Sequence, residues 1–365
     1  MEQNAMQMDP QNMNNFSHQT AISDWPQADL ETVAQCPVCE STKREILHRG
    51  LTDRVFFCAP GAWDLFRCSD CSSAYLDPRP TPASIGRAYS RYFTHGGEWR
   101  KGAENLSLPR RVLRALSNGY FNHRFGTQFS PANHAGAWLA AFTPWKRGEL
   151  ESAGRHLPKA KPGQTLLDVG CGNGIFLDFA RHAGWQTLGI DFDPNSVACC
   201  LQKGLGVKQG GIEILADQSE SFDWITLSHV IEHVHHPLDL LAACHRLLKP
   251  GGQLWIETPN LNAQGYHDFG SAWHALDSPR HLVLFTRHSL IKALSAKGFE
   301  EITDADFRPI YIDRAPKSRA IAESKDPYQI PASKKFWLHD RLKDWRAWNN
   351  PNIRENVTLT ARKPA

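Results

Sequence analysis

The second half of the chain alternates short apolar runs with longer segments of helical periodicity. Strands are predicted at 165–170, 186–191, 222–228, 252–258, 299–307 and 356–362, with a weaker one near 206–209. Apolar runs of this length, bounded by turn residues and separated by helical patterns, are typical of a parallel sheet with helices on both faces. The pattern therefore predicts an α/β fold with a doubly wound sheet.

The first half of the chain is organised differently. Residues 1–30 are rich in Gln, Asn and Met and predict a disordered tail. A small cysteine-containing module is predicted at 31–80, and a helical region at 81–160. The sheet-forming domain is then predicted to fill 161–365 and to carry an insert at about 313–351.

Two helical segments have more than one interpretation. The amphipathic helix predicted at 108–125 carries four arginines, so it could lie on a membrane surface, although packing of its apolar face on the main domain is favoured. The insert carries Phe336, Trp337, Trp345 and Trp348 beside basic residues. These side chains could cover a ligand pocket, but their near-helical spacing favours burial in the core.

Charge and composition exclude several classes of protein. The net charge of the 365 residues is +3, which is too small and too evenly spread to indicate a nucleic-acid partner. No apolar run approaches the roughly 18 residues that a transmembrane segment requires. The first residues lack the basic and apolar regions of a secretory signal. Nine cysteines without an export signal predict a reducing, cytoplasmic location.

Four of the cysteines form two C-x-x-C pairs, Cys36 with Cys39 and Cys68 with Cys71. Paired turns of this kind present thiolates that complete a tetrahedral zinc site, so a zinc ribbon is predicted. Four thiolates leave no open coordination position, which favours a structural ion over a catalytic one. Two unliganded turns remain the alternative, and Cys58 could replace one ligand or be buried as a small apolar residue.

The most informative segment is 166–177, where an apolar strand runs into a glycine-rich turn and a helix start. Glycines there allow a ligand to approach the backbone closely, and the first amides of the helix can face an anionic or polar group. The glycines follow G-x-G-x-G spacing rather than the G-x-G-x-x-G of dinucleotide-binding proteins, because Ile175 stands where the last glycine is needed. A second acid, Asp191, follows about twenty residues later, where a carboxylate can bind ribose hydroxyls.

These motifs resemble the class I S-adenosylmethionine (SAM)-dependent methyltransferases of the small-molecule type, the group that includes quinone and sugar methyltransferases. The matching segments are 168–174, 189–191, 222–223, 228–234, 247–252, 258–260 and 278–282. The resemblance implies a Rossmann-like seven-stranded sheet with an antiparallel last strand. The paired cysteines resemble the zinc-binding module that precedes some members.

The resemblance also implies roles for individual residues. The predicted cofactor-binding residues are Asp168, Gly170, Cys171, Gly172, Asn173, Gly174, Asp191, Phe192 and Ser228. The glycines would line the methionine part of SAM, and Asp168 would help to hold its ammonium group. Asp191 would bind the ribose, and Phe192 would cover one face of the adenine.

Candidate catalytic residues follow from the chemistry. Methyl transfer requires in-line alignment and, for a hydroxyl acceptor, removal of a proton. His229, Glu232 and His233 follow a predicted strand at the edge where this fold places substrates, and His281 could join them from a later loop. Each could instead only position its neighbours. The segment 229–233 resembles a metal-binding Glu-x-x-Glu-His of some quinone O-methyltransferases, with His229 in the first position, so a divalent metal remains open.

The sequence therefore predicts a SAM-dependent methyltransferase acting on a small-molecule or glycan-linked acceptor, with O-methylation favoured over C- or N-methylation. One alternative is modification of RNA guided by the zinc module. Another is a non-catalytic protein that binds SAM or a partner. The identity of the acceptor and the oligomeric state do not follow from the sequence.

Overall fold

The structure, a computed structural model, describes residues 24–90, 107–331 and 335–365. Most of the predicted N-terminal tail, up to residue 23, lies outside the described residues, as do 91–106 of the predicted helical region and 332–334 of the predicted insert.

Thirteen strands and ten helices are numbered here in chain order over the described residues. The strands are β1 (Leu30–Glu31), β2 (Arg44–Leu51), β3 (Trp63–Cys68), β4 (Ala74–Leu76), β5 (Arg79–Pro80), β6 (Thr165–Val169), β7 (Gln186–Asp191), β8 (Val207–Gln209), β9 (Phe222–Ser228), β10 (Leu248–Pro259), β11 (Val283–Leu284), β12 (Glu300–Asp304) and β13 (Asn356–Arg362). The helices are α1 (Leu108–Phe125), α2 (Ala135–Phe142), α3 (Pro144–Ala153), α4 (Ile175–His182), α5 (Pro194–Gln202), α6 (Pro237–Leu247), α7 (Gln264–Phe269), α8 (Arg287–Ala296), α9 (Tyr311–Ala322) and α10 (Trp337–Trp348).

The main sheet has seven strands in the order β12-β13-β10-β9-β6-β7-β8. Strand β13 runs antiparallel to both of its neighbours, while β10, β9, β6, β7 and β8 are mutually parallel. All seven predicted strands form, including the weak one at 207–209, and the doubly wound prediction is confirmed. The sheet reverses its order of progression between β6 and β9, and the carboxyl ends of these two strands define the crevice where such folds bind ligands.

Burial explains why the strands read as continuous apolar runs. Leu166, Leu167, Ile225 and Leu227 are fully buried in the two central strands, because helices cover both faces of the sheet. Side chains on opposite faces belong to two different apolar clusters: Leu167 packs in the larger one, and Leu166 in the smaller one. The larger cluster also contains residues of the N-terminal module.

The N-terminal module completes its sheet with a strand from the far end of the sequence. Its four strands have the order β11-β4-β3-β2, and Val283 of β11 pairs with Tyr75 of β4. The segment 54–57, Arg-Val-Phe-Phe, has the composition of a strand but does not form one. Its backbone instead wraps around Asp53, whose carboxylate accepts hydrogen bonds from the N–H groups of four residues: Val55, Phe56, Cys58 and Ala59.

A buried ion cluster joins this module to the sheet domain. The guanidinium of Arg280 is fully buried, and it donates to both oxygens of Asp53, at 3.0 and 2.5 Å, and to Oδ1 of Asp277. Burial would raise the pKa of Asp53, but the hydrogen bonds and charge of Arg280 hold it below its usual range. The two carboxylates in turn raise the pKa of Arg280, despite its burial.

The helical region packs through glycines. A Cβ at Gly119 of α1 would lie 1.8 Å from the carbonyl oxygen of Asn133, and one at Gly136 of α2 would lie 1.8 Å from that of Leu116. These close approaches join α1 to α2. The C-terminal half of α1 packs on the sheet domain through Phe121 and Phe125, whose rings contact Phe179 of α4, as the favoured interpretation predicted, while Leu108 and Val112 of its N-terminal half are 72% and 52% exposed. Across the described ranges, none of the helices combines the length and apolar character needed to traverse a bilayer.

The insert forms α9 and α10, but its aromatic residues do not complete the core. Phe336, Trp337 and Trp345 are exposed, and Trp348 is half-buried. The expectation of buried tryptophans was wrong because α10 turns its acidic residues inward and is held there by charged hydrogen bonds to α9.

Replacing Arg280 with Gln is expected to lower the free energy of unfolding by about 3–5 kcal/mol, since it leaves two buried carboxylates without their cation. Urea denaturation of the full chain measures the effect. The matched control is Arg287→Gln, which breaks a half-exposed ion pair with Asp304 and is expected to cost about 1 kcal/mol or less. Equal losses of unfolding free energy in the two variants would contradict a stabilising role for the buried ion cluster of Arg280.

Candidate active site and metal centre

The glycine-rich loop after β6 is shaped by left-handed backbone. Gly170, Gly172 and Gly174 have φ of +69°, +54° and +78°, a region that glycine adopts without strain. The carbonyl of Ile190 fixes the loop start by accepting from the N–H groups of Gly170, at 2.8 Å, and Cys171, at 3.1 Å. A Cβ at Gly170 would lie 2.6 Å from Val230, whereas one at Gly172 would meet no protein atom within 4 Å. The loop therefore leaves open space at Gly172, where a ligand can approach the backbone.

The second predicted acid lies against this loop. Oδ2 of Asp191 accepts from the N–H of Gly172 at 2.8 Å, and Oδ1 accepts from the N–H of Asp193 at 2.9 Å. The ring of Phe192 is 69% exposed and lies over Gly211, where an added Cβ would come within 2.5 Å of it. An acid at the loop with an exposed ring beside it is the arrangement expected for ribose and adenine.

The remaining predicted cofactor residues flank the loop. Oδ1 of Asn173 accepts from the N–H of Ile175 at the helix start. Ser228 ends β9 and is half-buried, in register with Glu257 on β10. The structure thus brings the predicted cofactor-binding residues to one edge of the sheet.

Asp168 is fully buried beneath the loop. Its Oδ1 accepts hydrogen bonds from the hydroxyl of Thr226, at 2.7 Å, and from the guanidinium of Arg155. Its Oδ2 has no hydrogen-bond partner among the described residues, and burial raises the pKa of the carboxyl group. A buried acceptor without a partner is costly unless a ligand supplies a donor. The open space at Gly172 and this oxygen both fit an amino-acid ligand such as the methionine part of SAM.

His229 lies between two carboxylates at the end of β9. Its Nδ1 is 3.1 Å from Oε1 of Glu232, and its Nε2 is 3.3 Å from Oε1 of Glu257. Burial would lower the pKa of His229, but the hydrogen bonds to the two carboxylates outweigh it and raise the pKa to about 9. The same contact with His229 lowers the pKa of Glu232 to about 2, despite burial. At neutral pH this arrangement is an imidazolium held between two carboxylates.

Glu232, His233 and His281 form a second cluster beside the first. One ligand atom from each lies within 4.8 Å of the other two, and the two imidazole rings are 4.7 Å apart between centroids. Burial lowers the pKa of both histidines to about 4, so both rings are neutral. Nδ1 of His281 lies 2.8 Å from the carbonyl oxygen of Ala275 and donates to it, which leaves Nε2 as the basic nitrogen.

Several residues of this region were not found from the sequence. Tyr89, from the N-terminal half, places its hydroxyl 2.9 Å from Nδ1 of His233. Arg155 bonds to Asp168 from thirteen residues upstream. Such contacts depend on tertiary packing and leave no local pattern. Glu257 could have been found from the sequence. It lies within the apolar run of β10, and an acid at such a position is rarely buried without a partner.

The four cysteines of the N-terminal module come together as predicted. Sγ atoms of all four lie within 4.8 Å of one another, with 3.6 Å between Cys36 and Cys71 and 3.5 Å between Cys39 and Cys68. Zinc–sulfur bonds of about 2.3 Å in a tetrahedron place thiolates roughly 3.8 Å apart, so the group fits a Cys₄ zinc ion. Burial and the neighbouring thiols raise the pKa of Cys39 to about 11 in the absence of a cation.

The two cysteine turns have the same backbone geometry. In the first, the N–H of Cys36 donates to Ser41 and the carbonyl of Cys36 accepts from Glu40; in the second, Cys68 makes the equivalent bonds with Ser73 and Ser72. Glu40 and Ser72 both have φ near +60°. Matched turns facing each other are the arrangement that the knuckles of a zinc ribbon require. The thiol of Cys58 lies outside this group and donates to the carbonyl of Ala88 at 3.4 Å.

Comparison with known proteins gives matches over the sheet domain. Residues 146–303 match the family described as "Methyltransferase domain". A ubiquinone biosynthesis O-methyltransferase of Pseudomonas paraeruginosa is 40% identical over 111 residues, which are 28% of this chain and 48% of that protein. Its counterpart from Hahella chejuensis is 40% identical over 114 residues, 29% of this chain and 48% of that protein. The chain thus spans about half the length of the curated relatives it matches.

Among solved structures, a SAM-dependent methyltransferase from Archaeoglobus fulgidus aligns with 63% of this chain and 100% of that chain, at 19% identity and a TM-score of 0.42. The fold is characterised by its strand order and its glycine-rich loop, and not by this loose superposition.

Replacing Gly172 with Ala is expected to weaken SAM binding at least about tenfold, because the added methyl group would enter the space left for the ligand. Isothermal titration calorimetry measures the affinity. Gly163→Ala is the matched control, since Gly163 also has positive φ, +82°, and open space around its Cβ position. Both variants incur similar backbone strain, so equal SAM affinities would mean that no ligand lies against Gly172.

Proposed function

We propose, from the premise that residues 146–303 belong to the class I SAM-dependent methyltransferases, that this chain transfers a methyl group from SAM to a small-molecule or glycan-linked acceptor. A hydroxyl oxygen is the favoured acceptor atom. The O-methyltransferase names of the relatives support that choice. Burial keeps the imidazoles of His233 and His281 unprotonated at neutral pH, so each has a lone pair for a proton or a metal ion, but a pKa of about 4 also makes them weak bases.

One observation carries the proposal. The glycine loop follows β6 and the Glu232–His233 segment follows β9, and these strands are hydrogen-bonded neighbours with Val169 opposite Leu227. Their carboxyl ends therefore meet at the crevice of the sheet. The donor-binding loop and the candidate proton acceptors lie next to each other, as an in-line displacement requires.

The residues of the chain have distinct tasks in this reaction. When bound, SAM supplies an electrophilic methyl group on a positively charged sulfur. The loop amides and Asp191 hold its polar ends, while Asp168 offers a buried oxygen to a donor group. His281, fixed by its bond to the carbonyl of Ala275, presents Nε2 to accept the proton that the hydroxyl loses. His229 is a poor candidate for that base, because carboxylates at both ring nitrogens keep it protonated.

A divalent metal in the second cluster is the alternative to the His281 base, because the ion would occupy the same Nε2 lone pair. Glu232, His233 and His281 offer one carboxylate and two neutral imidazoles, a donor set suited to zinc or another first-row ion. Such an ion would act as a Lewis acid that acidifies the acceptor hydroxyl. With or without it, Thr258 fixes the Glu232 carboxylate by donating to Oε2 at 2.9 Å. The four cysteines of the module, by contrast, would hold a structural zinc ion, since they leave no position for substrate.

Two substitutions in the second cluster test catalysis. Glu232→Gln and His281→Ala are each expected to lower kcat about a hundredfold or more, the size of a lost general-base or Lewis-acid contribution. Formation of S-adenosylhomocysteine with a panel of catechols and sugar hydroxyls measures turnover. SAM affinity should stay within about threefold, because neither side chain is part of the loop. His288→Ala, at an exposed position on α8, is the control; full turnover in both cluster variants would refute their role.

Metal analysis tests the zinc module. The purified full chain is expected to carry about one zinc ion on the cysteine cluster, and Cys71→Ser should lose it together with thermal stability, because metal binding contributes to folding. Cys199→Ser changes a half-buried cysteine outside the cluster and should retain the ion. Equal zinc content in both variants would exclude the four-cysteine site.

A further inference from the structure

Helix α10 packs with its acidic face inward and its apolar face outward. Asp340 and Asp344 are buried: the first accepts from the guanidinium of Arg319, and the second accepts from backbone N–H groups at the start of α9. The opposite face carries Trp337, Leu338, Leu342 and Trp345, whose exposures are 52%, 67%, 53% and 63%. A helix normally buries its apolar stripe, so this outward face calls for a partner.

The helical pair α1–α2 presents the same chemistry. Its exposed apolar side chains are Leu108, Val112, Leu113, Trp138, Leu139 and Phe142. Residues 108–142 contain no Asp or Glu, and Arg110, Arg111 and Arg114 lie among the apolar positions of α1. The rings of Trp138 and Phe142 pack against each other, 4.7 Å apart between centroids. Apolar and cationic groups are thus interleaved on this second surface.

A groove lies between the end of α10 and the start of α3, the helix that directly follows α2 in the chain. Its lining comes from the start of α3, the segment after β12 and the end of α10: Pro144, Arg147, Asp304, Ala305, Asp306, Phe307, Trp348 and Arg354, around a volume of about 230 Å³. Phe307 and Trp348 contact across it, with centroids 6.0 Å apart. Strand β12 runs parallel to β10, because both are antiparallel to β13. The groove therefore opens at the edge of the sheet that carries the candidate active site.

The charges decide what can cover these faces. On α10 both acids are buried, so the charged groups that it turns to solvent are basic: Arg346 is exposed and Arg341 is half-buried. The acids that line the groove are paired, Asp304 with Arg287 and Asp306 with Arg147. A second copy of the chain docked face to face would bring like charges together. Exposed leucines and valine have no use in stacking on nucleic-acid bases.

We propose that the outward faces of α1, α2 and α10 form one docking surface for an anionic lipid bilayer, with the groove and the open edge of the sheet turned toward the headgroups. Tryptophan and leucine enter the boundary between headgroups and acyl chains, and Arg111, Arg341 and Arg346 pair with lipid phosphates, as in interfacial amphipathic helices. The surface lies outside the candidate active site and binds independently of methyl transfer.

Vesicle co-sedimentation of the full chain tests the proposal. The probes are vesicles of phosphatidylcholine alone and vesicles in which part of it is replaced by phosphatidylglycerol. Binding is expected only to the second kind and should weaken with added salt. Leu342→Ser and Trp345→Ser are each expected to reduce the partition coefficient about tenfold, and Arg341→Gln combined with Arg346→Gln by a similar factor.

Leu201→Ser provides the matched control. Leu201 is 58% exposed on α5, next to the opposite end of the sheet, and its replacement should leave vesicle binding unchanged. Trp138→Ser should resemble Trp345→Ser, because both helices belong to the surface. SAM titration and thermal unfolding of each variant confirm that the fold is intact.

Three results would overturn the proposal. The first is a failure of the vesicle test: no binding to either kind of vesicle, equal binding to both, or equal effects of Leu342→Ser and Leu201→Ser on the partition coefficient. The second is a concentration-dependent dimer that Leu342→Ser abolishes, which would assign the face to self-association. The third is salt-sensitive RNA binding without vesicle binding, which would assign it to nucleic acid.

Discussion

The burial of one guanidinium constrains how the N-terminal module meets the sheet domain. Arg280 has no contact with solvent and stays protonated, so its burial is tolerated only while Asp53 and Asp277 lie against it. That requirement fixes the loop from which β11 joins the module's sheet. The same loop donates the N–H of Leu282 to the carbonyl of Glu232 and receives the N–H of Leu76. The cysteine module, the buried cation and the second cluster of the active site are therefore parts of one connected structure.

Electrostatics divides the histidines of the site into two kinds. His229, at φ +54°, is forced into a conformation in which both ring nitrogens face carboxylates. Its positive charge compensates Glu232 and Glu257, which could not both be buried as anions without it. His233 and His281 have no comparably strong hydrogen bond to a carboxylate. Burial therefore lowers their pKa, and both rings stay neutral. One ring thus stabilises buried negative charge, while the others keep lone pairs available for a metal ion or a proton.

The sequence predicted the sheet, the glycine-rich loop and the cysteine cluster because those features are local. Strand periodicity, glycine spacing and the C-x-x-C pairs are each written within a few residues, and all of them form as expected. The contacts that assemble the site are not local. Asp53 and Arg280 are 227 residues apart, and Tyr89 and His233 are 144 apart. Neither pairing has a pattern, since nothing in the sequence links one residue to a partner so far along the chain.

Helix α10 shows a second limit of prediction from sequence, because its aromatic residues were expected to be buried and are exposed. A helical repeat of apolar residues specifies that one face differs from the other, but not which of them is buried. In α10 the acidic face is buried, because Arg319 and the unpaired N–H groups at the start of α9 satisfy Asp340 and Asp344. Burial of those acids is what leaves tryptophan and leucine outside. The inward hydrogen bonds and the outward apolar surface thus have a single cause, and substitutions that restore an apolar inner face would remove the reason for the exposed one.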